Sequence, residues 1–179
     1  MVKDKFKNFY YFLVKFIATG GFVGKSKIAP GTLGSLVGIA LTVSTYLILI
    51  EIKPCVQSNC QTNPLFWGIY LLILSLIGLI CTKVYITKFN TKDSDPKEVV
   101  IDEIIGMAIT MVLCFPRMEN EILYLTLTFV LFRIFDILKP WPINYIDKNI
   151  KGAAGIILDD VVASLFASIS YYSILLLKS

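Results

Sequence analysis

The chain has 179 residues, 56% of them hydrophobic and only 17% charged, with a formal net charge of +4. Soluble domains carry about a quarter charged residues, so this composition excludes an ordinary water-soluble globule and points to one domain embedded in lipid; the mean hydropathy of +0.73 agrees. The positive charge is too small and scattered for nucleic acid, and the lack of histidine removes Ser-His-Asp triads, His-ligated zinc and phosphohistidine intermediates.

Residues 1–27 form a basic, aromatic segment. Phe6, Phe9, Tyr10, Leu13, Phe16 and Ile17 fall on one helical face, with Lys7, Asn8, Tyr11 and Lys15 opposite. That pattern predicts a helix lying in the membrane interface. No compact apolar core followed by a small-residue cleavage site is seen, so no cleaved signal peptide is expected.

Residues 28–179 make the membrane domain. Crossing the hydrocarbon takes about 20 apolar residues, and five blocks approach that length: 35–52, 65–80 with an extension through 86, 104–115, 122–138 and 156–177. The third is too short unless 99–103 are included, which sets Asp102 and Glu103 near its start. The expectation is an all-α, multi-pass transmembrane bundle of about five spanning helices, preceded by an interfacial helix. Cys81 and Cys114 lie in apolar blocks and read as small hydrophobes.

Basic residues orient such a bundle. With the N-terminus in the cytoplasm, only Lys53, Arg117 and Lys178 fall outside, so that topology in a bacterial inner membrane is preferred. Cys55 and Cys60, in a polar loop, would then face the periplasm, where a disulfide can persist. Whether they pair stays open.

The charges inside the blocks are not scattered. Asp102 and Glu103 open the third, Arg133, Asp136 and Lys139 close the fourth, and Asp159 and Asp160 lie about a turn inside the fifth. Each would meet the cytoplasmic side at one depth. Charges at the centre of a spanning helix cost at least about 2.5–3.5 kcal/mol. Helix capping, dipole and snorkelling effects account for single members, but less well for two acidic pairs with an Arg-Asp pair. Arg133 and Asp136, three apart, share a helix face. Carboxylates without His or Cys are hard oxygen donors that suit Mg²⁺ and substrate phosphate oxygens, while Arg133 and Lys139 would hold phosphate charge. Ahead of the first span, Gly31 and Gly34 let backbone amides approach an anion at a positive helix end; a plain turn capped by Thr32 or Ser35 is the structural alternative.

The prolines in Lys139-Pro140-Trp141-Pro142-Ile143 stop the fourth helix, and Trp141 suits the headgroup belt. Ala163, Ala167, Ser164 and Ser168 repeat at a spacing of four and allow close helix packing.

Taken together, Pro30-Gly31-Thr32-Leu33-Gly34-Ser35, Asp102-Glu103-Ile104-Ile105-Gly106-Met107, the stretch from Phe132-Arg133 through Asp136 and Lys139-Pro140-Trp141-Pro142-Ile143, and Gly155-Ile156-Ile157-Leu158-Asp159-Asp160 resemble the phosphatidylglycerophosphatase A family. The likeness runs from about Ile28 to Ser168. It implies a Mg²⁺-dependent inner-membrane enzyme that hydrolyses phosphatidylglycerophosphate to phosphatidylglycerol. On that reading Asp102, Glu103, Asp159 and Asp160 hold metal. Arg133 and Lys139 grip the phosphoryl group, Gly31, Thr32 and Gly34 help bind substrate, and Asp136 completes the metal site or orients water. Direct attack of water and a covalent aspartyl phosphate both stay open, as do the number of metal ions, acyl-chain preference and oligomeric state.

Three other readings are weaker. A transporter or proton channel would place its charges near the midplane. A CDP-alcohol phosphotransferase would space several Asp around an Asp-Gly start, where this chain has Asp159-Asp160-Val161-Val162. A purely structural subunit leaves the charges unexplained.

Overall fold

A computed structural model describes residues 2–52, 63–89, 96–114 and 121–178. Cys55 and Cys60 lie outside the described residues, as do Lys53 and Arg117. The described chain folds into seven α-helices: α1 (Val2–Ala18), α2 (Pro30–Ile52), α3 (Pro64–Phe89), α4 (Ile101–Cys114), α5 (Glu121–Leu138), α6 (Ile143–Asn149) and α7 (Ala153–Lys178), with a 3-10 turn at Val23–Lys25. No strand occurs among the described residues.

Three of these helices, not the expected five, are long and apolar enough to cross a membrane: α2 over Pro30–Leu49, α3 over Pro64–Phe89 and α7 over Ala153–Leu177. The other two do not reach that length and composition among the described residues. The 14 described residues of α4 rise about 21 Å at 1.5 Å per residue, against about 30 Å of hydrocarbon, and residues 115–120 lie outside the described ones. The 18 residues of α5 include Glu121, Arg133 and Asp136.

What α4 lacks in length it makes up in position. Ile101, Ile104, Ile105, Met107, Ala108, Met111 and Cys114 are all buried, and the helix packs against α2, α3, α5 and α7. A helix apolar on every side belongs in the middle of a bundle. Its neighbours, by contrast, turn apolar residues outward. On α3, Leu65, Ile69, Leu72, Ile73, Leu76, Ile77 and Ile80 are exposed, while Trp67, Gly78, Cys81, Thr82 and Tyr85 are buried. An outer stripe more apolar than the inner one suits hydrocarbon rather than water.

Small residues set the close approaches, because apolar burial drives little association between helices already in lipid. A Cβ added at Gly38 would lie 2.8 Å from the Ile104 carbonyl oxygen and 3.0 Å from the Met107 Cβ. Only glycine lets α2 meet α4 there. On α7, Ala163, Ala167, Ser164 and Ser168 are all buried, as their spacing predicts. Cys81 and Cys114 are buried free thiols.

Helix α1 packs on α3 through Val14 and Ala18 and exposes Phe6, Phe9, Tyr10, Leu13 and Phe16. Tyr11, expected on the polar face, instead meets Phe89 of α3 edge-on, with ring centroids 5.7 Å apart. The chain then turns through Gly20, Gly21 and Phe22, all at positive φ. On either side of this turn the N-terminal segment braces the approach to α4. The Val100 N–H donates to the Ala18 carbonyl (3.0 Å), and a Cβ at Gly24 would overlap the Glu98 carbonyl; both contacts cross the boundary drawn after residue 27. From α3, the Tyr85 hydroxyl donates to Glu98 Oε2 (2.8 Å).

Two local differences from the sequence reading matter for the site. Pro30 to Ser35 does not precede the first span but forms its opening turns, with Pro30 the first residue of α2; proline suits that position because no helical partner awaits its missing N–H. After α5 stops at Leu138, as the prolines require, residues 143–149 form α6, a helix too short for its pattern to stand out.

Candidate active site

The first turn of α4 carries Asp102 and Glu103, and the second turn of α7 carries Asp160. One carboxylate oxygen from each of these three residues lies within 4.8 Å of the others. Asp160 is almost fully buried. Glu103 Oε2 and Asp160 Oδ2 are buried and accept no hydrogen bond among the described residues. Anions crowded this way in a low-dielectric setting repel strongly unless a cation joins them or one takes up a proton, and all-oxygen donor sets favour hard divalent cations. Asp102, Glu103 and Asp160 are therefore the residues fit to hold one.

Helix α5 supplies the adjoining charges. Arg133 Nη1 pairs with Asp136 one turn away, and both side chains are mostly buried. The same nitrogen approaches Ser35 Oγ on α2 at 3.5 Å, a marginal contact, while Ser35 Oγ donates to the Gly31 carbonyl (3.0 Å). Arg133 Nε is buried without a partner among the described residues. Asp136 stands within electrostatic reach of both Glu103 and Asp160.

Gly31 shows how α2 enters the site. A Cβ there would overlap Glu103 Oε1 and lie 3.2 Å from Arg133 Nη1. At Gly34 the neighbours would be Val100 Cβ at 2.9 Å and Glu103 Cβ at 3.5 Å. Both glycines thus bring the α2 backbone against the acid-bearing turn of α4. Thr32 lies half-buried between them in the same opening turns. In the first turn of α2, Pro30 has no N–H and the Leu33 N–H donates to the Ala29 carbonyl (3.2 Å), so the amides left without a helical acceptor are those of Gly31 and Thr32.

The remaining two charges form a separate cluster. The Lys139 ammonium donates to Asp147 Oδ1 on α6 (2.7 Å) and to Asp159 Oδ2 on α7. Burial works against its charge, but these two carboxylates outweigh it and hold the lysine pKa above its ordinary value. Asp159 also accepts from the Asp160 backbone N–H through its other oxygen (3.1 Å). Of the acids singled out in the sequence, Asp102, Glu103 and Asp160 thus converge with Asp136 beside them, whereas Asp159 is engaged with Lys139. Asp147 was not singled out. The available signal was its position as the lone acid between Asp136 and Asp159.

Comparison with known proteins bears on this arrangement. A family model described as Phosphatidylglycerophosphatase A matches residues 16–175. The chain belongs to the phosphatidylglycerophosphatase A family. A phosphatidylglycerophosphatase A of Escherichia coli is 36% identical over 160 residues, covering 87% of this chain and 80% of that protein. One of Haemophilus influenzae is 32% identical, covering 90% and 88% respectively. A Bacteroides thetaiotaomicron protein provisionally named a phosphatidylinositol-3-phosphatase is 32% identical, covering 88% of this chain and 91% of its own. No solved structure matches. The family match spans all the acidic and basic residues of this site.

Proposed function

We propose that this protein hydrolyses the terminal phosphate of phosphatidylglycerophosphate, releasing phosphatidylglycerol, with Mg²⁺ held by Asp102, Glu103 and Asp160. The observation that carries the reading is the convergence of three carboxylate oxygens within 4.8 Å beside a largely covered arginine, in a chain of this family. Phosphate monoesters are among the slowest esters to hydrolyse in water, needing up to about 10²¹-fold acceleration. Bound Mg²⁺ would supply Lewis-acid neutralisation of charge on the transferring phosphoryl group.

The chain's own residues do the rest. Arg133, fixed by Asp136, binds phosphoryl oxygens through its guanidinium and keeps the charge it needs as negative charge builds in transit. Asp136, beside Glu103 and Asp160, orients the nucleophile, and Lys139 meets a further phosphate oxygen. The opening turn of α2 brings the Gly31 and Thr32 amides toward the same place, which the glycines at 31 and 34 permit. The exposed aromatic face of α1 lies in the headgroup layer on the cytoplasmic side of the inner membrane, so the lipid's acyl chains stay in hydrocarbon while its head reaches the acids.

The test is phosphate release by the purified full chain in detergent, with phosphatidylglycerophosphate, phosphatidic acid and phosphatidylinositol 3-phosphate, each with and without Mg²⁺. Phosphatidylglycerophosphate should turn over best and only with the metal. Asp160→Asn should lower that rate about 10²-fold or more. Metal-independent release, or near-normal turnover by Asp160→Asn, would overturn the assignment.

A further inference from the structure

We propose that Asp147 is a positioning residue for this reaction, fixing the Lys139 ammonium where it meets a phosphate oxygen of the lipid headgroup. The inference rests on the phosphatase reading above and adds a residue from α6, an element the reaction otherwise does not use.

The backbone gives the first reason. Lys139 has φ +42, a left-handed conformation that glycine adopts freely and a lysine does not. Strain of that kind at a site of charge convergence points to what the side chain does. The position is the last before Pro140, so it aims the side chain back across the turn toward α6 and α7 rather than along α5.

The second reason is the pair of carboxylates. Asp159 holds the ammonium from the buried side, with a side chain 7% exposed, and Asp147 from the more open side, at 36%; Lys139 itself is 27% exposed. An ammonium has three donors. The two carboxylates take two of them, and the third meets the lipid phosphate. With Asp147 removed, the flexible four-carbon stem is tied by Asp159 alone, and the ammonium loses the second anchor that fixes its direction. The two carboxylates therefore hold the cation from two sides.

A plain brace between α5, α6 and α7 would use the same contacts, so the test must separate the two. We would measure kcat and KM for phosphatidylglycerophosphate with the full chain in detergent, in a cycle of Asp147→Ala, Lys139→Ala and the double variant. Asp147→Ala should raise KM about tenfold with kcat within about threefold of the unaltered chain. The double variant should be no worse than Lys139→Ala alone. Asp147→Glu, which keeps the carboxylate, should return KM to within about threefold. Asp147→Asn, nearly the same shape without the charge, should behave as Asp147→Ala and serves if the smaller residue prevents folding. Additive losses in the double variant overturn the proposal. So does a lowered melting temperature with KM unchanged in the folded fraction. If the unaltered chain releases no phosphate, the substrate reading and this inference fall together; release with additive losses overturns this inference alone.

Discussion

Gly31→Ala should separate activity from stability. The added methyl would overlap Glu103 Oε1 and stand 3.2 Å from Arg133 Nη1. Both are ends of long side chains, so rotation can relieve the clash while the backbone stays put. Moving Glu103 off its preferred rotamer costs about 0.5–1.5 kcal/mol. Replacing glycine by alanine in a helix returns about 0.5–1 kcal/mol. The two offset, and the melting temperature in detergent should stay within about 4 °C. Catalysis has no such offset, because Glu103 leaves the acid group and Arg133 shifts with it. A displacement of about 1 Å at a reacting centre costs about 10²-fold. The paired assay is phosphate release from phosphatidylglycerophosphate and thermal unfolding followed by circular dichroism. Activity within twofold of the unaltered chain would refute the argument. A parallel collapse of both readouts would show that the α2 backbone had moved instead.

Two other glycines should behave differently. At Gly106 a Cβ would lie 2.6 Å from two ring carbons of Phe132 and 3.1 Å from the Asp160 carbonyl oxygen, so Gly106→Ala should cost about 1–3 kcal/mol by overpacking and lower stability and activity together. Adding Phe132→Leu should recover part of the stability; no recovery would put the clash elsewhere. Gly68 on α3 faces open space, so Gly68→Ala should leave turnover unchanged and stabilise the fold by up to about 1 kcal/mol of helix preference, read as a small rise in melting temperature. A loss of turnover there would contradict the outward orientation of that face.

The sequence was most informative where a residue type admits few environments. Five carboxylates and two cations inside apolar blocks had to meet, and Asp102, Glu103, Asp136, Asp160 and Arg133 do. The small-residue spacing on α7 and the proline stop after Leu138 were equally legible, since each follows from local sterics. Of the five expected spans, three are matched by described helices of spanning length and composition. Hydropathy registers α4 as apolar but cannot tell a helix wrapped by protein from one wrapped by lipid. The division of the acids was hidden for a related reason. Asp159 and Asp160 are adjacent, and helical geometry sends neighbouring side chains about 100° apart. Only the fold reveals that one meets Glu103 while the other meets Lys139. Asp147 lies in a seven-residue helix without a periodic signature, and the stretch around Gly31 suits an anion-binding turn or a plain one, with no sign of its contact with Glu103.

The enclosure of α4 has a consequence for how the protein meets membranes of varying thickness. Hydrophobic mismatch is absorbed by segments in contact with lipid, through tilt or local deformation of the bilayer. Wrapped by its neighbours, the helix bearing Asp102 and Glu103 has little lipid contact through which to feel that stress directly. Changes in acyl-chain length should therefore be taken up by the outer helices, leaving the spacing of the acids nearly constant from one lipid mixture to the next.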